Sequence, residues 1–167
     1  MVGTSRTRTV VTALGGTALI VAYAVVAAVQ ILVWNPLAAI PGQDLAQIRS
    51  AAEAAGEHLA VMPVLIFLGI GPAIAAVVVV LAARGVFTDA RTVAVFLLGV
   101  VAAGAPAYFM ASFGPGMALA DAFLISGGDH AAGSAVLYVA SALAIAAMPV
   151  AALAGRSRPR AMPAQPS

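Results

Sequence analysis

Four long stretches of this chain carry no formal charge: residues 10–34, 59–83, 92–113 and 131–154 contain no Asp, Glu, Lys or Arg. About 20 apolar residues, rising 1.5 Å each, cross a hydrocarbon core about 30 Å thick, so each stretch is long enough to span a bilayer. Lipid offers the backbone no hydrogen-bond partners, and a spanning segment that satisfies its own N–H and C=O groups is a helix. The many Val and Ile residues do not oppose this, because burial in lipid outweighs their small helix-propensity penalty. Composition agrees: of 167 residues, 63% are hydrophobic and 8% charged, with mean hydropathy +1.07, where a soluble domain carries about 25% charge. The expected fold is an all-α membrane protein with four transmembrane helices, forming one domain over residues 1–155. Residues 156–167 hold Pro159, Pro163 and Pro166 without apolar periodicity and read as a disordered tail.

The first stretch follows Arg6 and Arg8 and so invites comparison with a signal peptide. A signal core is about 7–15 residues, whereas this one runs unbroken to Trp34, an aromatic suited to the interface. A retained helix is expected. Arginine then sets the orientation. With four spans, Arg6, Arg8, Arg84, Arg91, Arg156, Arg158 and Arg160 share one side and Arg49 alone lies on the other. The positive-inside rule makes the arginine side, with both termini, cytoplasmic. Asp89 is the one acid there; Asp44, Glu53, Glu57, Asp121 and Asp129 lie outside. All eight basic residues are arginine. Together with the abundant Ala, Val and Gly, this points to a high-GC bacterial genome and to the plasma (inner) membrane. The high isoelectric point therefore reflects topology, and no nucleic-acid partner is expected. Absence of cysteine removes disulfides, thiolate metal sites and thiol chemistry.

The outer loops hold most of the non-membrane chain. In residues 35–58, Asn35-Pro36 and Pro41-Gly42 are turn signals. Leu45, Ile48, Ala52, Ala55 and Leu59 then recur at helical spacing, with Asp44, Gln47, Arg49, Glu53 and Glu57 largely on other faces. This predicts a short amphipathic helix in the first extracytoplasmic loop, lying on the membrane surface or capping the bundle. The second loop, 114–130, opens at Gly114-Pro115-Gly116, with a further partial helix over 117–125.

An offset of 72 aligns Gly56-Glu57-His58 with Gly128-Asp129-His130 and Arg84 with Arg156. Identical residues fall between them, among them Val64 on Val136, Leu65 on Leu137 and Val78 on Val150. Arg8-Thr9-Val10 and Arg91-Thr92-Val93 open the first and third spans alike. Shared Ala/Val composition supplies some of these matches. The paired anchors favour two repeated helical hairpins, related by an axis along the membrane normal.

No phosphate-binding glycine loop, catalytic triad or metalloprotease helix is present. The spans lack the ionisable groups that proton relays use. Pro72, Pro106 and Pro149 interrupt spans and read first as ordinary kinks, second as hinges lining a site. Gln30, Tyr108, Ser112, Tyr138 and Ser141 are polar groups in the outer halves of the spans, suited to bonding between helices or to lining a shallow cavity. Gly99, Ala103, Ala107 and Ala111 form a small-residue stripe for close helix packing, expected within the bundle. Glu57, His58, Asp129 and His130 are the candidate metal ligands. Carboxylates at helix entrances also serve the helix dipole, and that reading is preferred, so no metal and no cofactor are expected.

The features together point to a non-enzymatic accessory or scaffold subunit. Its partners would be the lipid bilayer and either another membrane protein or a second copy. The alternative is a small transporter or channel, as a homo-oligomer. A membrane enzyme with an outer-surface His/acid site stands behind both.

Overall fold

The computed structural model describes residues 2–154, with side chains from residue 5 onward. The expected tail, with Arg156, Arg158 and Arg160, lies outside the described residues. Helices follow in the order α1 (Val2–Val29), a π-helical turn (Gln30–Trp34), α2 (Asn35–Ala39), α3 (Leu45–Ala54), α4 (Val61–Ala83), α5 (Ala90–Ala102), α6 (Gly104–Phe123) and α7 (Gly133–Leu153). Among the described residues there is no strand. The helices join into four apolar spans, Ser5–Ala39, Val61–Ala83, Ala90–Phe123 and Gly133–Leu153, which make this a multi-pass membrane protein. Leu14, Val25, Ile66, Phe109, Leu143 and Val150 point outward, an arrangement unfavourable in water and favourable against lipid tails.

The first and third spans form the centre of the bundle. α1 packs chiefly on α4 and α5, and α5 packs in turn on α7. Toward the end that carries Arg6, Arg8, Arg84 and Arg91, the core comprises Ala13, Ile20, Ala75, Val78, Ala82, Val93, Leu97, Val101 and Ala144. Toward the opposite end it comprises Ala27, Ile31, Val64, Leu68, Tyr108, Ala111 and Leu137. The alternation of small and branched residues lets helices approach closely, so van der Waals packing holds them where lipid supplies no hydrophobic drive.

The connections are closed by local chemistry. At the arginine end, α4 finishes in a Schellman turn. Gly85 takes φ +78° and the Val86 N–H reaches back 3.1 Å to the Leu81 carbonyl, while the Arg6 guanidinium donates to the Ala83 carbonyl. α5 starts at Asp89, whose carboxylate accepts from the Thr92 N–H at 2.8 Å. That bond holds the Asp89 carboxyl below its ordinary pKa, with the nearby Arg91 charge acting in the same direction. At the other end, Asp44 and Gln47 make a reciprocal capping box at 2.8 and 2.9 Å. The amphipathic helix it starts, α3, buries Ile48 and Ala52 and packs on α6, so it caps the bundle.

Two helices run further than the sequence suggested. The first span does not stop at Trp34, nor the third at Phe113. Pro36 cannot donate to the residue four before it, and its ring would strike that carbonyl in a regular helix. The π turn just before it relieves this: the Asn35 N–H bonds to the Gln30 carbonyl, five residues back, and the helix resumes as α2. Gly114-Pro115-Gly116 is likewise helical, with Pro115 and Gly116 buried. A β-carbon on Gly116 would lie 2.7 Å from the Gly127 carbonyl oxygen, so glycine there admits the returning loop. The helix ends at Leu124, left-handed at φ 55°, with the Ile125 N–H bonded to the Ala120 carbonyl. At 1.5 Å per residue, the 34 residues of the third span reach about 50 Å, well beyond a core of about 30 Å.

Pro72 and Pro149 sit inside continuous helices. Pro106 does not: α5 ends at Ala102, the residue whose carbonyl the proline ring would meet, and α6 restarts at Gly104. Pro106 thereby occupies the first turn of α6, where its missing N–H costs nothing.

At the offset of 72 the buried faces of the two hairpins do not coincide. Val64 is 1% exposed and its match Val136 63%, while Leu65 is 45% exposed and Leu137 2%. One residue further, Val64 meets Leu137 and Leu68 meets Ser141, all buried. Sequence identity and packing thus select registers that differ by about 100° of helix rotation.

Candidate functional site

Most of the polar side chains that the sequence placed within the spans converge on two layers. The middle layer lies at the Pro106 break. The interrupted helix leaves carbonyl groups in need of donors, and the Ser141 hydroxyl donates to the Val101 carbonyl at 2.9 Å. The Tyr23 hydroxyl lies 3.2 Å from Ser141 Oγ and supplies it a proton in turn. A β-carbon on Gly104 would lie 2.7 Å from the Tyr23 ring, so glycine there seats the ring at the break. One turn and a half away, Thr17 Oγ1 donates to its own helix at the Ala13 carbonyl, 2.8 Å, and lies 3.3 Å from the Ala75 carbonyl of α4.

The second layer stands opposite the arginine end, where residues 124–132 fold back over the bundle. Tyr108 is fully buried, and its hydroxyl donates to Asp129 Oδ1 at 2.5 Å. Its ring meets Tyr138 edge-on, with centroids 5.6 Å apart. Gln30, also fully buried, opens the π turn and donates through Nε2 to the Ala131 carbonyl at 3.0 Å. Gln30 Oε1 is shielded without a hydrogen-bond partner and packs on Gly133, where a β-carbon would overlap it and the Trp34 ring. Asn35 Oδ1 accepts from the His130 N–H at 2.6 Å. His130 Nε2 lies 3.0 Å from the Ser126 carbonyl, an acceptor only, so that nitrogen carries the proton. Among the described residues Ser112 bonds within its own helix, to the Phe109 carbonyl.

The candidate ligands Glu57, His58, Asp129 and His130 are thus unequal. Asp129 and His130 are built into the returning loop. Glu57 and His58 make no side-chain hydrogen bond among the described residues, and His58 is exposed. Among the described residues no three His, Cys, Asp or Glu side chains gather as a metal site would require. The small-residue stripe is divided too. Ala111 is buried in the bundle, whereas Gly99, Ala103 and Ala107 line an apolar cavity of about 520 Å³, with Tyr23, Phe67, Pro72 and Phe96, whose walls come from the first, second and third spans.

The reading from sequence missed Asn35, Thr17 and Tyr23. Asn35 was hidden by the turn signal of Asn35-Pro36. Tyr23 had a legible sign: a phenol in the middle of a span needs a partner for its hydroxyl. Comparison of the sequence with protein-family models and curated proteins, and of the fold with solved structures, found no match.

Proposed function

We propose that the protein is a non-enzymatic accessory or scaffold subunit of a bacterial plasma-membrane assembly, with the arginine end in the cytoplasm. One observation carries this reading: the Tyr23 and Ser141 hydroxyls are spent on other helices, and the cavity that the Tyr23 ring lines is otherwise apolar, with the exposed Phe67 and Phe96 among its walls. A transport path needs the reverse, polar groups facing a cavity. The open part of the small-residue stripe suits a transmembrane helix of another membrane protein. A β-carbon placed on Gly99 would touch nothing, so a partner backbone has room to approach. The interrupted first and third spans favour the transporter as the second reading, since broken helices frame many transport sites.

Affinity purification in mild detergent tests this, comparing the parent with Gly99→Leu and Ala103→Leu. A stoichiometric membrane protein held by the parent and lost from both variants supports the scaffold. Partner-free protein that conducts solute in proteoliposomes overturns it. Alkaline phosphatase fused after Arg49 should be active and after Arg91 inactive; the reverse would refute the orientation.

A further inference from the structure

At the arginine end, between the starts of the first and third spans, lies a polar pocket of about 350 Å³ lined by Ser5, Arg8, Asp89, Ala90, Arg91 and Ala154. Its charges are unevenly engaged. Asp89 is committed to the N-terminus of α5, accepting from the Thr92 N–H at 2.8 Å and lying 3.2 Å from the Thr92 hydroxyl. Arg8 makes no ion pair or hydrogen bond among the described residues. Arg91 Nε is shielded from solvent and has no partner there either. A shielded guanidinium N–H without an acceptor is costly, and the one carboxylate, Asp89, offsets only part of the two arginines, leaving the pocket net positive.

Deeper along the same helices runs an apolar furrow of about 210 Å³, lined by Thr12, Gly16 and Leu19 of α1 and by Ala94, Leu98 and Val101 of α5. The two cavities share faces. Arg8, Thr12, Gly16 and Leu19 succeed one another at steps of four, four and three residues. Arg91, Ala94, Leu98 and Val101 do so at three, four and three. Such steps keep side chains on one stripe of a helix. Gly16 sets the depth, because a β-carbon there would overlap Leu97. From Thr12 to Leu19 the furrow extends about 10 Å into the span.

We infer that this seam is a binding site for one anionic phospholipid, with its phosphate between Arg8 and Arg91 and one acyl chain in the furrow. The chemistry fits at both ends. Guanidinium groups take phosphate oxygens through paired N–H donors, and the Ser5 hydroxyl adds a neutral donor. The furrow, lined mainly by carbon, accepts hydrocarbon and rejects a headgroup. A free phosphate shares only the first half of this recognition. Basic pockets between transmembrane helices at a cytoplasmic face are suited to such headgroups. The inference does not depend on the scaffold reading.

The full chain in mild detergent is titrated with phosphatidylglycerol, phosphatidylcholine and inorganic phosphate, read by native mass spectrometry and thermal unfolding. Phosphatidylglycerol should bind at least about tenfold more tightly than phosphatidylcholine and raise the unfolding temperature, with phosphate alone at the same concentration having little effect. Arg8→Gln with Arg91→Gln should erase the difference between the two lipids. Arg84→Gln, on the same end but outside the pocket, should preserve it. Ala94→Phe, which fills the furrow, should weaken phosphatidylglycerol binding with both arginines intact. Equal affinity for the two lipids in the parent, or full preference retained in the double variant, overturns the site. A phosphate effect as large as that of phosphatidylglycerol shows an anion pocket and overturns the lipid assignment. If the double variant does not fold, the parent comparison and Ala94→Phe decide the question.

Discussion

The Tyr108 hydroxyl stands 2.5 Å from Asp129 Oδ1, joining a fully buried ring of the third span to a carboxylate in the loop that leads to the fourth. This bond fixes the height at which the loop returns, because a phenol buried among helices has few other acceptors. Tyr108→Phe keeps the ring and its edge contact with Tyr138 while removing the donor. Asp129 is exposed and rehydrates, so the loss should be moderate, about 1–2 kcal/mol. Unfolding of the detergent-solubilised protein would show it, with proteolysis within residues 124–132 rising in parallel.

Leu124 offers a change in the opposite direction. Gly56, Gly85 and Leu124 occupy the same left-handed position at the ends of α3, α4 and α6, at φ +86°, +78° and 55°. Each is followed by a residue whose N–H reaches the carbonyl five positions back. Only Leu124 carries a side chain there, which costs about 1 kcal/mol, and it is 91% exposed, so packing returns little. Leu124→Gly should therefore stabilise the protein by about 1 kcal/mol, and Gly85→Ala should destabilise it by a similar amount. Equal and opposite shifts in thermal midpoint are the expected signature.

Gly133 is held to glycine by its neighbours. Gly133→Ala puts a methyl group where Gln30 Oε1 and the Trp34 ring already are. Separating α7 from the π turn should cost about 1–3 kcal/mol. Trp34 is the chain's one tryptophan, so its fluorescence reports the displacement directly.

Asp89 makes the turn at the arginine end sensitive to acid. Its carboxyl is held below the ordinary value of 3.8, first by the Thr92 N–H. A group with a lowered folded pKa contributes stability that is complete above its unfolded pKa and is lost as pH falls through the folded value. Stability should thus decline below about pH 4. Asp89→Asn keeps the cap and should flatten that part of the profile. The difference between the two pH profiles of thermal unfolding isolates the carboxyl.

Much of the architecture was legible because lipid imposes simple rules. Uncharged runs long enough to cross gave the four spans, and the spacing of Ile48 and Ala52 gave α3. What the sequence obscured were the ends. Asn35-Pro36 and Gly114-Pro115-Gly116 read as turns because they so often are. Both stay helical here, Pro36 through the π turn and Gly116 through its fit against Gly127. The packing face was obscured as well. Ala, Val and Leu occur all round each span, so identity at an offset of 72 carries no information about which side is buried, and the burial of Leu137 in place of Val136 had to be seen. The polar residues fared better: Gln30, Tyr108 and Ser141 were singled out by residue type and do bond between elements. Their partners were not, since two of the three are backbone carbonyls, to which sequence gives no address.

The π turn makes the far end of the molecule depend on chain length as well as on chemistry. Bonding five residues back, it absorbs one residue more than a regular helix would over the same rise. If the same residues ran as a regular helix, everything beyond them would rotate by about 100°, and Asn35 would turn away from His130 although neither had been altered. Deleting one residue within Gln30–Trp34 would keep the phase but set the Pro36 ring against the carbonyl four residues before it. The far cap is keyed to the bundle by a count of residues.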